Sequence, residues 1–387
     1  MQFKRTLKKF AFLNNIMSKN KILFIAPRFH TNQFFLTKQL IEHNIEVNFL
    51  AVYTGGSENH SYVKPILLIP SIITKWFLRG KDQKEAEDRE ALRKYHISSY
   101  QQCRDVYKKL NPDILVIRNL KFFISIQHLI LGLIFRKKIF LYTQNRYHEK
   151  VSSKRKFFYR VLKKIGIKHF TPVLGDVDQP IIPNTFYIPF VIDKLVEDQS
   201  ISAKSQVNGI QLITIGKMND RKNIKELVDS LFRVNFFDNI NNTLIIVSEC
   251  ITEQNYTYLN SIKERIHKNK EQIEFHLNIS HSMVLDLLKS SDLFILPSHG
   301  EPAAFSVLEA MACGLAVVCS DKNGTKCYIE NNVNGFVFKH SKDFQDLDVV
   351  LETILTKETL RKYGWESLRL IEKNHGLEKF YRNVILN

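Results

Sequence analysis

The chain has 387 residues, 44% of them hydrophobic, and its 56 Lys and Arg against 39 Asp and Glu give a formal charge of +17. That length and apolar content suffice for two domains of ordinary size, each with its own core, and argue against a disordered chain. Five cysteines (Cys103, Cys250, Cys313, Cys319, Cys327) form no C-x-x-C pair, and the 13 histidines form no H-x3-H or H-E-x-x-H pattern. Neither a disulfide framework nor a metal site is indicated, and a reducing cytoplasm fits best.

In chain order, Met1 to Asn20 carries Lys4, Arg5, Lys8 and Lys9 before a short apolar patch broken by Asn14 and Asn15, which predicts a basic amphipathic extension rather than a signal peptide. Lys21 to Ala26 reads as the first strand, Gln33 to His43 as a helix and Val47 to Val52 as the second strand. Further strands are expected at Ile114 to Ile117, Ile139 to Tyr142 and Lys168 to Thr171, with helical patterns between them. This alternation predicts a doubly wound, mostly parallel sheet. The longest apolar run, Phe122 to Phe135, contains Gln127 and His128 and is too short and too polar to span a bilayer.

From Pro180 to Ser205 the periodicity fails and Pro180, Pro183 and Pro189 gather, as expected of a linker. A second alternation then begins, with strands at Ile210 to Ile215, Leu244 to Val247 and Ile273 to Leu277 and helices at Asn223 to Asn235 and Tyr256 to Lys268. Its first strand runs into Gly216-Lys217-Met218-Asn219-Asp220-Arg221-Lys222-Asn223, a glycine turn with three cations that opens a helix. Two cations converging there would suit a diphosphate; a solvated basic loop is the plainer alternative.

The most informative stretch is Ile295 to Val318, ILPSHGEPAAFSVLEAMACGLAVV. A short apolar strand breaks at Pro297-Ser298-His299-Gly300, and a helix is expected to start with Glu301 and Pro302 in its first turn and to end at Cys313-Gly314. Free N–H groups at such a helix start favour a phosphate, and Glu301 and Glu309 could hold hydroxyl groups on either side of it. On charge alone, the two acids could equally be solvated helix residues.

This stretch resembles the signature of the retaining family 4 glycosyltransferases of the GT-B fold, whose E-x7-E pair falls on Glu301 and Glu309. Ala304 stands where that family usually has Gly, and Ala316 where it usually has Pro. The turn at Gly216 resembles the family's G-R-x4-K motif, with Lys217 at the Arg position and Lys222 at the Lys position. Lys keeps the charge but loses the planar fork. Tyr187 to Asp193 is a partial match to the family's hinge segment, with Phe190 and Val191 replacing its Asn and Gly. Asn331 to Phe338 resembles its closing N-G-x-L strand, and Leu351 to Asn374 and Leu377 to Ile385 resemble its C-terminal helices.

The resemblance implies a GT-B architecture, two Rossmann-like domains facing a cleft: an acceptor-binding domain over residues 1–192, joined again by 375–387, and a nucleotide-sugar-binding domain over 193–374. It implies that Glu301 binds the donor sugar and Glu309 the ribose, that Lys217 and Lys222 take the diphosphate beside Gly216, and that backbone amides of Ala304, Phe305 and Ser306 receive the distal phosphate. His299 lies where it could touch the donor. The cations make a divalent metal unnecessary, and a nucleoside diphosphate sugar is the co-substrate, with no other cofactor. Asp176-Val177-Asp178 is a D-x-D in an irregular stretch and is not read as a metal site. No first-domain residue matches the histidine that family members often place near the sugar; Arg118, Gln144 and Arg146 are candidates.

The expected function is retaining transfer of a sugar to an acceptor hydroxyl on a glycan or a lipid-linked polysaccharide intermediate, with a GT-B sugar synthase or phosphorylase as the alternative. The charge of +17 also raises a nucleic-acid binder, but no aromatic-plus-basic RNA motif or helix-turn-helix signal is present, so no nucleic-acid partner is expected. The basicity belongs to one half. Met1 to Ile192 holds 33 Lys and Arg against 13 Asp and Glu, a net of +20, while Asp193 to Asn387 holds 23 against 26, a net of −3. Within that half the cations adjoin apolar residues in Lys64 to Arg79, Phe122 to Lys138 and Ser153 to Lys168. Such composition predicts docking of the first domain on an anionic membrane surface, from the cytoplasmic side.

Overall fold

The computed structural model describes residues 20–55, 58–78, 91–144, 153–177, 180, 182, 184–197, 208–266 and 269–386. The N-terminal extension, the end of the 180–205 stretch, Arg146 and Asp178 therefore lie outside the described residues.

The first sheet collects β1 (Lys21–Ile25), β2 (Glu46–Ala51), β3 (Ile66–Leu67), β4 (Ile114–Arg118), β5 (Lys138–Tyr142), β6 (Lys168–Thr171) and β7 (Thr185–Tyr187) in the order β3-β2-β1-β4-β5-β6-β7, and every pair is parallel. A parallel sheet is covered on both faces, which is why KILFI and ILVIR are nearly continuous apolar runs. α1 (Thr31–Glu42), α2 (Ile72–Leu78), α3 (Tyr100–Leu110), α4 (Phe123–Ile134) and α5 (Ser153–Lys164) connect these strands. Local sequence sets their ends: Ser99 caps α3 by accepting from Gln102 N, and Asn111 closes it in the left-handed region at φ 41° just before Pro112.

The second sheet has the order β10-β9-β8-β11-β12-β13, also all parallel, from β8 (Gln211–Lys217), β9 (Thr243–Glu249), β10 (Ile273–Leu277), β11 (Leu293–Leu296), β12 (Ala316–Ser320) and β13 (Gly335–Phe338). Its helices are α6 (Ile224–Arg233), α7 (Glu253–Lys263), α8 (His281–Ser290), α9 (Phe305–Ala312), α10 (Gln345–Ile354) and α11 (Lys357–Asn374). The single helix expected from Leu351 is two, because Thr356 stops the chain and caps α11 by accepting from Thr359 N.

The 180–205 stretch is not all linker. Thr185–Tyr187 adds β7 to the first sheet, and Ile188, Phe190, Val191 and Ile192 are buried at 2–4% exposure between the two sheets. Four apolar side chains in five residues outweigh the proline-rich surroundings as a guide to burial. The short last helix, α12 (Glu378–Phe380), continues as a π turn to Ile385 and lies on the first sheet. There Phe380 stacks on Phe24 at 6.4 Å and meets the edge of Phe170 at 5.8 Å.

Candidate active site

In each sheet the chain order reverses at one point, and loops leaving the carboxyl ends of the two strands there enclose a crevice. In the second sheet that point lies between β8 and β11, which pair directly. The loop after β8 is a 3-10 turn at Asp220–Lys222 closed by Asn223 in the left-handed region, φ 52°. The loop after β11 is Pro297 to Ala304. They are tied together: His299 N donates to Arg221 O at 3.0 Å, and Asn223 Nδ2 donates to Pro297 O at 3.0 Å.

Glu301 stands at the centre. Its Oε2 accepts from Arg221 Nη1 at 2.6 Å and from Lys222 Nζ at 2.7 Å, with side-chain exposures of 17% for Glu301, 39% for Arg221 and 10% for Lys222. Burial alone would raise the Glu301 carboxyl, but the two cations hold it below the usual carboxylate range. Burial lowers the Lys222 ammonium, and Glu301 offsets only part of that. Gly216 makes room for this lysine, since a Cβ there would lie 2.9 Å from Lys222 Cδ.

Glu301 is not at a helix start, contrary to expectation. Gly300 turns the chain at φ 73°, Glu301 forms a parallel bridge with Asn323, and its carbonyl accepts from Gly324 N at 2.9 Å. These bonds hold the segment extended, so α9 begins only at Phe305 and Pro302 precedes it. A Cβ on Gly324 would lie 1.9 Å from the Pro302 carbonyl oxygen, so the approach depends on glycine.

α9 is buried almost all round and has no side-chain cap at Ala304, leaving the amides of its first turn without a side-chain partner. Ala304 and Phe305 are buried. Phe305 meets the edge of Phe190 at 5.3 Å and stacks on Phe35 of α1 at 6.4 Å, so it also joins the two domains. Ser306 is half-buried. Glu309, 6% exposed, has its Oε1 2.6 Å from His281 Nε2. That hydrogen bond outweighs burial and raises the His281 pKa.

The structure brings Glu301, Lys222 and Gly216 together and sets Glu309 behind them on α9. It does not bring Lys217 to Glu301: its ammonium pairs with Glu249 at 2.8 Å and is 65% exposed. Arg221 takes that place, a residue the motif comparison passed over although it stands in the same run of cations. His299 is exposed; its backbone N–H ties the two loops, and its Nδ1 lies 3.4 Å from Asn223 Nδ2. Sequence gave no signal for His281 or for His340, whose Nε2 lies 2.9 Å from Asn223 Nδ2. Asp176 ion-pairs with Lys326. On the first-domain side, Arg118 Nη2 donates to Gln144 Oε1 at 2.8 Å. The domains are latched by Lys38 and Gln39 on Asp193 and by Tyr328, whose hydroxyl donates to Pro172 O and accepts from Phe190 N.

Residues 197–366 match the glycosyl transferases group 1 family. That match covers most of the second domain. Over 82 residues the chain is 40% identical to N,N'-diacetylbacillosaminyl-diphospho-undecaprenol alpha-1,3-N-acetylgalactosaminyltransferase of Campylobacter jejuni, covering 21% of this chain and 22% of the relative. Over 70 residues it is 33% identical to UDP-Gal:alpha-D-GlcNAc-diphosphoundecaprenol alpha-1,3-galactosyltransferase of Escherichia coli, covering 18% and 17%. The chain thus spans about a fifth of the length of these relatives. The structure of Anabaena HepE in complex with UDP and glucose superposes with a TM-score of 0.65 at 15% identity, over 94% of this chain and 98% of that one. The fold is GT-B, two Rossmann-like domains around a cleft.

Proposed function

We propose that the chain is a retaining glycosyltransferase that moves a sugar from a nucleoside diphosphate sugar to a hydroxyl of a lipid-linked or surface-polysaccharide intermediate. The observation that carries this reading is the Glu301–Lys222–Arg221 constellation at the switch point of the second sheet, with the uncapped start of α9 beside it. Lys222 and Arg221 neutralise the departing diphosphate, Lys217 joins from the rim on leaving Glu249, and the amides at Ala304, Phe305 and Ser306 receive the distal phosphate. Glu301, freed from its cations, binds the sugar hydroxyls, and Glu309 binds the ribose in place of His281. Attack comes from the face the diphosphate leaves, through an oxocarbenium-like state. With cations already placed for the leaving group, transfer needs no divalent metal, and no further cofactor is used.

The names of both curated relatives carry a diphospho-undecaprenol acceptor, which supports a lipid-linked one here. The first domain fits a peripheral position on the inner face of a membrane. Ile69, Ile72, Ile73 and Trp76 are 55–86% exposed in a segment bearing Lys64 and Lys75, and Phe157 of the lysine-rich α5 is 66% exposed. Among the described residues, no helix is long and apolar enough to cross a membrane.

The test is transfer from a panel of nucleotide sugars to lipid-linked and to soluble acceptors, in excess chelator, with the anomeric configuration of the product determined. Retained configuration and chelator resistance are expected. Transfer only to soluble sugars would instead support the synthase alternative, and activity restored solely by a divalent metal would overturn the metal-free reading.

A further inference from the structure

The first sheet has a switch-point crevice of its own, between β1 and β4. Ile25 lies beside Ile117 in the parallel ladder, so the loop after β1, bearing Arg28 and His30, adjoins Arg118 at the end of β4. Arg118 is fixed from behind: its Nη2 donates to Gln144 Oε1 at 2.8 Å, Gln144 Nε2 donates to Tyr142 OH at 2.6 Å, and the guanidinium carbon lies 5.9 Å from the Tyr142 ring centre. Its Nη1, however, is shut off from solvent and has no hydrogen-bond partner among the described residues.

The surroundings are cationic. Burial first, and then the positive charges of Arg118, Arg28 and Arg93, hold the His30 imidazole well below the usual range. Burial, with the positive charges of Arg93 and Arg28, also disfavours the charge on Arg118. Arg93 stands at the rim, its guanidinium carbon 5.1 Å from the centre of the Phe122 ring. The nearby carboxylate, Glu58, is buried: its Oε2 lies 3.0 Å from His60 Nε2, and its Oε1, 3.8 Å from Arg28 Nε, takes no hydrogen bond among the described residues. Among the described residues, three guanidiniums therefore share this crevice with one acid, and one of them holds an enclosed donor without a hydrogen-bond partner. A multiply charged oxyanion answers both defects, because the arginine fork matches phosphate oxygens two at a time and several like charges call for more than one negative charge.

We propose that the crevice between β1 and β4 binds a phosphate-class oxyanion carried by the acceptor, held by Arg118 and Arg28 with Arg93 at its mouth. The donor's own diphosphate is provided for at Lys222 and Arg221, on the other side of the cleft. Assigning the anion to the acceptor rests on the proposed function, whereas the anion site itself does not.

Hydrogen–deuterium exchange on the full chain, titrated with inorganic pyrophosphate, reads the two sites separately. Residues 26–33 and 114–122 gain protection in the wild type, with an affinity lowered tenfold or more in Arg118→Gln. Arg28→Gln carries the same expectation should Arg118→Gln fail to fold, and Lys222→Ala keeps the first-domain protection. Glucuronate, which offers a carboxylate alone, protects this region far less. Protection confined to residues 216–226 and 301–309, equal affinity in wild type and arginine variants, or a preference for glucuronate would overturn the proposal. Protection of the first domain with none in the second would leave it standing and count against the donor site.

Discussion

Replacing Glu301 by Gln separates the carboxylate's ion pairs with Lys222 and Arg221 from its proposed contact with the donor sugar. In the free protein its Oε2 takes hydrogen bonds from both Lys222 and Arg221, at 2.7 and 2.6 Å. Arg221 is 39% exposed and its share is small, whereas Lys222, at 10%, loses a charge-assisted bond in an enclosed setting. Such a bond contributes about 1.5–3 kcal/mol, and glutamine retains one acceptor, so a loss of about 2 kcal/mol in stability is expected. For a domain of this size that lowers Tm by roughly 4–8 °C. Transfer falls tenfold or more, because the sugar loses its anionic partner. Yet the variant binds bare nucleoside diphosphate at least as tightly as wild type, since the carboxylate no longer competes with phosphate for Lys222 and Arg221. Thermal unfolding, calorimetric titration with the nucleoside diphosphate and a transfer assay read the three quantities. A variant that loses diphosphate affinity while keeping full transfer refutes the reasoning.

Acid sensitivity follows from histidines buried in their neutral form: His128, pushed down to about 3, and His96, His169 and His375, each to about 4. Below about pH 6.5 the unfolded chain takes up protons that the folded chain refuses, so this stability is present above the unfolded value and lost as pH falls, by up to about 1.4 kcal/mol per pH unit for each histidine. A urea midpoint unchanged between pH 7 and 5.5 would contradict it. Gly324→Ala forces a Cβ against the Pro302 carbonyl, 1.9 Å away, and shifts the segment carrying Glu301; transfer falls tenfold or more and stability by about 1–3 kcal/mol, and an unchanged transfer rate would remove the assigned role of this contact. Sedimentation with anionic vesicles is expected for the wild type at low salt, reduced in high salt and in Trp76→Ser; equal binding to neutral vesicles, or none to either, removes the membrane surface.

The two parallel sheets were legible because buried strands such as KILFI and ILVIR are continuous apolar runs whose period does not need a partner to be read. The edge strands of the first sheet were not: β3 has two residues and β7 three, too few for any pattern. Glu301 and Lys222 were found through their spacing within motifs. Arg221 and His281 were not, since each reaches its carboxylate from a sequence distance of 80 and 28 residues, which only the folded loops bring together. The same holds for Lys217, whose pairing with Glu249 depends on the register of β8 against β9. The helix boundary failed because Glu301 is held in a bridge to Asn323, a contact between loops that helix-start signals cannot report.

The measurement that bears most directly on the donor site is thermal stabilisation of the purified chain by a panel of nucleoside diphosphate sugars, with Glu309→Ala alongside. A ligand that binds only the folded state raises the apparent stability. At least one nucleotide sugar should raise Tm in the wild type, with the shift lost or strongly reduced in Glu309→Ala, whose carboxylate is the proposed ribose partner. No shift with any of them, or the same shift in both proteins, would contradict the account.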